Sequence, residues 1–189
     1  MRSSDAGQTR GDRLFIALEL SEGIKARLLG LQSLITGLNR TSPANLHLTL
    51  RFIGQVSPER ADLVRQTLRG VGCAPFRLAV AGLGLFKRGT GAVLWAGVNP
   101  EPALIKLKQQ ADKALYESSG PIADEFDYSP HITLSRLKKP LSQPLKDLVQ
   151  EKAAERFGEM TVTEFVLFRS LLRPSGAVHK PVERYRLNI

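Results

Sequence analysis

Two of the chain's three histidines open the same tetrad: His47-Leu48-Thr49-Leu50 and, 84 residues on, His131-Ile132-Thr133-Leu134. A chance match of that kind is on the order of one in 10⁴ to 10⁵. Histidine titrates near neutrality, so one copy in the neutral form accepts a proton while a second, protonated, gives one away. The Thr hydroxyl two residues on lies on the same strand face and donates to an anionic oxygen. Two His and two Thr around one point make a pocket for a tetrahedral anion. A base then serves the attacking oxygen and an acid the leaving one.

The charge says which anion. A formal net charge of +9 over 189 residues attracts polyanions, nucleic acid before anionic membrane. The other common phosphodiesterase design holds two metal ions in clustered carboxylates and histidines, and no such cluster flanks either tetrad. Asp124, Glu125 and Asp127 read as a solvated loop. A single Cys73 and three histidines cannot assemble a Cys/His zinc cage or an internal disulfide. Chemistry free of metal and cofactor is expected, in a reducing cytoplasm, with no membrane-spanning run. Gly84 and Gly89 have the spacing of a phosphate loop, but Thr90 stands where its Lys is required. Gly82 to Gly91 is therefore read as a plain loop carrying Lys87 and Arg88. A non-catalytic RNA-binding module would need aromatics across a sheet face, and 6% aromatic content without an RNP-like run argues against it. A small cyclic nucleotide as substrate stays open.

The elements that must position the tetrads follow from periodicity. Residues 1–12 read as a disordered polar tail and 13–189 as one domain. Leu14 to Leu20 is a strand; Ile24, Leu28, Leu31, Ile35 and Leu38 recur at helical spacing over 22–38. In the first tetrad strand, alternation sends His47, Thr49 and Arg51 to one face and Leu48, Leu50 and Phe52 to the other. Arg51 is thus a candidate phosphate ligand, whereas Arg136 has the wrong parity unless its strand bends. Ser57-Pro58 starts a helix. Strands are expected at 76–80 and 92–98, a helix from Pro102, the second tetrad strand at 131–137 and a helix over 144–157. The last strands are expected at 161–172 and 182–189, as a hairpin around 173–176. Trp95 is read as core, and His179, without a tetrad, receives no role. The order strand, helix, tetrad strand, helix, strand occurs twice, in lobes 14–80 and 92–168, which implies a duplicated α+β unit folded face to face around a cleft.

Four blocks carry a resemblance over nearly the whole chain: Arg13-Leu14-Phe15-Ile16-Ala17-Leu18, Asn45 to Gly54, Pro130 to Arg136, and Phe165-Val166-Leu167-Phe168-Arg169-Ser170. In that order they resemble the 2H phosphoesterase superfamily, and within it the bacterial and archaeal RNA 2′,3′-cyclic phosphodiesterases, also called 2′-5′ RNA ligases. The resemblance implies a bilobal α+β fold with pseudo-twofold symmetry and no metal. It implies hydrolysis of RNA 2′,3′-cyclic phosphate ends to 2′-phosphomonoesters, with 2′-5′ ligation as the reverse reaction. It casts His47 as proton donor, His131 as proton acceptor, and Thr49, Thr133 and Arg136 as phosphate ligands. The expected partner is RNA with a cyclic phosphate end, met by a monomer.

Overall fold

Strand β1 (Asp12–Glu19) shows how the molecule divides its apolar residues. Leu14, Ile16 and Leu18 enter the main core, while Phe15 and Ala17 point the other way and join Val166 and Phe168 in a separate small cluster. The computed structural model describes residues 11–35, 39–120, 127–138, 141–174 and 176–188. After β1 come α1 (Glu22–Ser33), a 3-10 turn (Pro43–Asn45), β2 (His47–Val56), α2 (Pro58–Leu68), β3 (Phe76–Arg88) and β4 (Gly91–Val98). Then follow α3 (Pro102–Ser119), β5 (His131–Leu137), α4 (Gln143–Glu151), β6 (Arg156–Val162), β7 (Glu164–Arg173) and β8 (Gly176–Arg186). All strand pairs are antiparallel, in the order β6-β3-β4-β5-β2-β1-β7-β8. The two middle strands are the two tetrad strands.

The fold is α+β, with all four helices on one sheet face. Ile24, Leu28 and Leu31 of α1, Val64 and Leu68 of α2, Leu104, Leu107 and Leu115 of α3 and Leu145 of α4 share the main core with the strands. Each fully buried Leu or Ile contributes about 1.5–3 kcal/mol, and this layer holds most of them. The opposite face stays open. Only one residue pair, Leu48 with Ile132, joins β2 to β5, so the sheet is two half-sheets hinged there. No described helix is long and apolar enough to cross a membrane.

The duplicated order holds: β1-α1-β2-α2-β3 is repeated as β4-α3-β5-α4-β6. The lobes do not follow the chain, however. Instead of 14–80 and 92–168, the half-sheets are β1, β2, β7 and β8 against β3 to β6, because β3 pairs with β4 and β6 while β7 pairs with β1. The expected loop at 82–91 is strand up to Arg88 and a two-residue turn, with Gly89 at φ 55° in its first position. Gly84 serves space rather than a turn, since a Cβ there would overlap the Trp95 indole lying across it. The last helix ends at Glu151 rather than 157. The expected strand 161–172 is two strands broken at Thr163, and β8 begins at Gly176, before residue 182. β6 escapes periodicity because it is an edge strand, with exposed Glu159 held by Arg77 across the ladder and Gly158 at φ 136°. The first helix ends with Leu34 as its C-cap. Residues 1–10 of the expected tail, 36–38 of that helix, Asp124, Glu125, Ser175 and Ile189 lie outside the described residues.

Gly84→Ala is expected to lower stability by about 1–3 kcal/mol, as overpacking does, and to shift the fluorescence of Trp95, the only tryptophan. Urea unfolding followed by emission checks both; unchanged stability and unchanged emission contradict the packing role.

Candidate active site

Leu48 and Ile132 are wholly buried in the main core, so alternation turns His47, Thr49, His131 and Thr133 to the open face. Because the strands run antiparallel, a register centred on the Leu48–Ile132 pair sets His47 level with Thr133 and Thr49 level with His131. The pseudo-twofold relation of the two strands is centred on that pair, so each histidine stands level with the threonine of the other motif.

Beyond each tetrad the strand bulges. Ala17 is paired with Thr49 but Ile16 with Arg51, so Leu50 is the extra residue; Trp95 is paired with Thr133 but Leu94 with Ser135, so Leu134 is. A bulge reverses which residues face the cleft. In β5 it sends Ser135 into the core and returns Arg136 to the cleft, where its charge acts on both histidines. In β2 it does the opposite of what alternation predicts: Arg51 goes inward, 7% exposed and 3.5 Å from Asp112 of α3. Phe52 comes out beside Phe15 instead, 60% exposed, with ring centroids 5.8 Å apart. Arg51 is therefore not brought to the histidines, and Phe52 occupies the place in one half that Arg136 has in the other.

Each bulge is pinned by the segment that leads into the other tetrad. The Leu134 carbonyl accepts from Gln32 Nε2 at 2.8 Å and from the Thr41 amide at 2.8 Å, and Ser135 Oγ donates to the Asn39 carbonyl at 2.9 Å. Reciprocally, Tyr128 Oη donates to the Thr49 carbonyl at 3.2 Å, with Lys108 over its ring at 5.2 Å and Lys108 itself on Asp112. Burial keeps the Tyr128 phenol protonated and thus a donor.

His131 Nδ1 lies 2.7 Å from the Ser129 carbonyl. A carbonyl only accepts, so the proton sits on Nδ1 and Nε2 is left as the working nitrogen. The backbone of Asn45 makes the matching hydrogen bond to His47. Aromatic rings wall both sides. His47 lies 5.0 Å from Phe15 and 5.3 Å, edge-on, from His179; His131 lies 4.9 Å, edge-on, from Phe86 and 6.5 Å from Trp95. Trp95 is thus cleft wall rather than core. His179, to which the sequence assigned nothing, touches the first motif histidine.

Burial lowers His47 to about 4, helped by His179 and, more weakly, by His131 and Arg136, against the Asn45 backbone hydrogen bond. His131 is lowered by burial, with Arg136 and Arg88 adding to it and the Ser129 carbonyl opposing. Both rings are neutral at pH 7 in the free protein. An anion between them reverses the balance and draws a proton in, since a nearby negative charge favours the imidazolium. Among the described residues no three His, Cys, Asp or Glu lie close enough to hold a metal ion.

Comparison with known proteins matches residues 34–173 to the 2′-5′ RNA ligase superfamily. The chain is similar to a protein named RNA 2′,3′-cyclic phosphodiesterase from Archaeoglobus fulgidus, 33% identical over 172 residues, 89% of this chain and 96% of that one. It is also similar to one of the same name from Thermus thermophilus, 32% identical over 93% of this chain and 90% of that one. Among solved structures, Escherichia coli LigT complexed with 3′-AMP has a TM-score of 0.79 at 25% identity, over 95% of this chain and 99% of that one. A second structure, that of TT0787 from Thermus thermophilus, has a TM-score of 0.78 at 31% identity, over 93% of this chain and 97% of that one.

The low proton affinity of His47 makes stability depend on pH. Between 6.5, its ordinary value, and about 4 in the folded chain, the unfolded chain binds the proton that the folded chain refuses. Stability therefore rises with pH across that window and is lost as pH falls through it, by on the order of 3 kcal/mol from this group. His47→Leu is expected to flatten the dependence, as measured by urea unfolding at about pH 4.5 and about pH 7. An equal slope in both proteins contradicts the assignment.

Proposed function

The chain belongs to the 2′-5′ RNA ligase superfamily, and from that premise we propose that it opens RNA 2′,3′-cyclic phosphate ends to 2′-phosphomonoesters, with His47 as proton donor and His131 as proton acceptor. The relatives' shared activity supports the reaction class. The observation that carries the mechanism is the antiparallel Leu48–Ile132 contact, which brings both motifs to one point on the open face.

Water attacks phosphorus from the His131 side, and Nε2 of that ring takes its proton. The P–O3′ bond breaks on the opposite side, and His47 supplies the proton that O3′ needs as it leaves. The O2′–P bond survives, so the product is the 2′-monoester; exchange with solvent then restores both rings. Hydroxyls of Thr49 and Thr133 and the Arg136 guanidinium donate to the non-bridging oxygens, where charge accumulates. The acid is charged only once the phosphodiester anion is in place, because His47 alone in the cleft is neutral. Nothing in this sequence of steps calls for a metal.

The leaving O3′ belongs to the nucleoside, so the nucleoside lies on the His47 side, where Phe52 offers a largely exposed ring face for its base. For 2′-5′ ligation an RNA 5′-hydroxyl takes the place of water beside His131, where Phe86 and Trp95 stand; the P–O3′ bond again breaks toward His47, and a 2′-5′ link forms.

An RNA oligonucleotide with a 2′,3′-cyclic phosphate end, incubated with the protein in EDTA, is expected to yield a 2′-phosphate end. His47→Ala and His131→Ala each lose about 10²–10⁴ in kcat. No turnover, or turnover only with added metal, contradicts the mechanism. Turnover of 2′,3′-cyclic AMP alone, with none on RNA, instead assigns a small cyclic nucleotide as substrate. Phe52→Ala is expected to raise KM by about tenfold, the worth of one stacked base, with kcat little changed. An unchanged KM moves the base elsewhere.

A further inference from the structure

The half-sheet that carries His47 is curled more tightly than its strand order suggests. β8 is three strands from β2, which in a flat sheet is about 14 Å. Yet the His179 ring on β8 lies 5.3 Å from the His47 ring, at 83°, and 4.8 Å from Phe15, at 75°. Asn45, two residues before His47, donates from Nδ2 to the Ala177 carbonyl at 2.7 Å and ties β8 to the entry of β2. Phe168 completes the wall, stacked on Phe15 at 5.2 Å. His179 Nδ1 is buried there and has no hydrogen-bond partner among the described residues. A buried polar atom left in this way is costly, and an apolar ring would fill the wall without that cost.

We propose that His179 is a positioning residue for His47: its edge contact fixes the plane of the His47 ring, and the two facing imidazoles do not carry protons together. Two imidazoles at this distance titrate as a pair, each protonation opposing the next. The surrounding charges act in the same direction. Arg13 on β1 faces His179, and Arg169 on β7 is already paired with Asp12. From β5, Arg136 and His131 face His47. Glu19, opposite His47 on β1, is paired with Arg184 of β8, and among the described residues no carboxylate counters these cations at either ring. The result is a cleft that stays neutral at His47 when empty and takes up its proton together with the phosphate. This rests on the reading of His47 as the proton donor.

The test follows the His47 Cε1–H resonance through a pH titration of the full chain, in the parent, His179→Gln and His179→Phe. Both variants remove the charge, one keeping polarity and the other the ring. Each is expected to raise the His47 midpoint by about one unit, the effect of removing a unit charge about 5 Å away. His47→Gln raises the His179 midpoint in return, as linkage requires. One limb of the kcat/KM profile on cyclic-phosphate RNA moves up with the His47 midpoint while the other stays. An unmoved midpoint in folded His179→Gln overturns the proposal, and so does a shift seen with Phe but not with Gln. If Phe fails to fold, Gln carries the test. The resonances report without turnover, so a protein inactive on RNA still answers this question separately.

Discussion

One pair of residues, Leu48 against Ile132, decides what the rest of the molecule is for. Both side chains are sealed in the core under the helices, and sealing them forces the residues on either side to face the open cleft. Had the half-sheets paired along their full length, β2 and β5 would be ordinary neighbours in a flat sheet with no cleft between them. Instead they separate, and the edge that β5 exposes is covered by Arg40 and Thr41. A short contact in the core thus becomes a groove on the opposite face.

The two bulges then turn a nearly symmetric frame into a polar one. They occur at the same place in both tetrads, at Leu50 and Leu134, and each is held by the segment entering the other motif. What emerges differs: an aromatic ring, Phe52, on one side and a guanidinium, Arg136, on the other. A substrate with a base at one end and a phosphate to hold at the other meets a different surface in each half. The buried Arg51 and Lys108, both on the partly exposed Asp112 behind β2, keep the less regular of the two strands in place, although such ion pairs owe as much to geometry as to net stability.

Much of this was legible in the sequence. The repeated tetrads marked the two strands that meet at the centre of the sheet, and period-two alternation put His and Thr of each on one face. The doubled strand-helix order also survives in the structure. Parity failed at Arg51, because alternation assumes an unbroken pleat and nothing in the letters Leu-Arg-Phe marks an extra residue; the matching bulge in β5 turns Arg136 to the cleft, against its parity. Gly84 looked like part of a loop because a glycine that makes room for an indole and a glycine that makes a turn are the same letter. His179 was invisible for a different reason: its nearness to His47 comes from the curl of a half-sheet across four strands, which no local pattern encodes. The half-sheets cut the chain differently from the expected lobes, since β3 crosses to pair with β4 and β6 while β7 returns to pair with β1.

The central claim is that the two imidazoles flank one phosphorus atom, and a crystal structure with vanadate or phosphate in the cleft tests it most directly. The account predicts a single anion with Nε2 of His47 and Nε2 of His131 each within about 3 Å of oxygens on its opposite sides. An anion held by only one of the rings, or bound away from both, would contradict it.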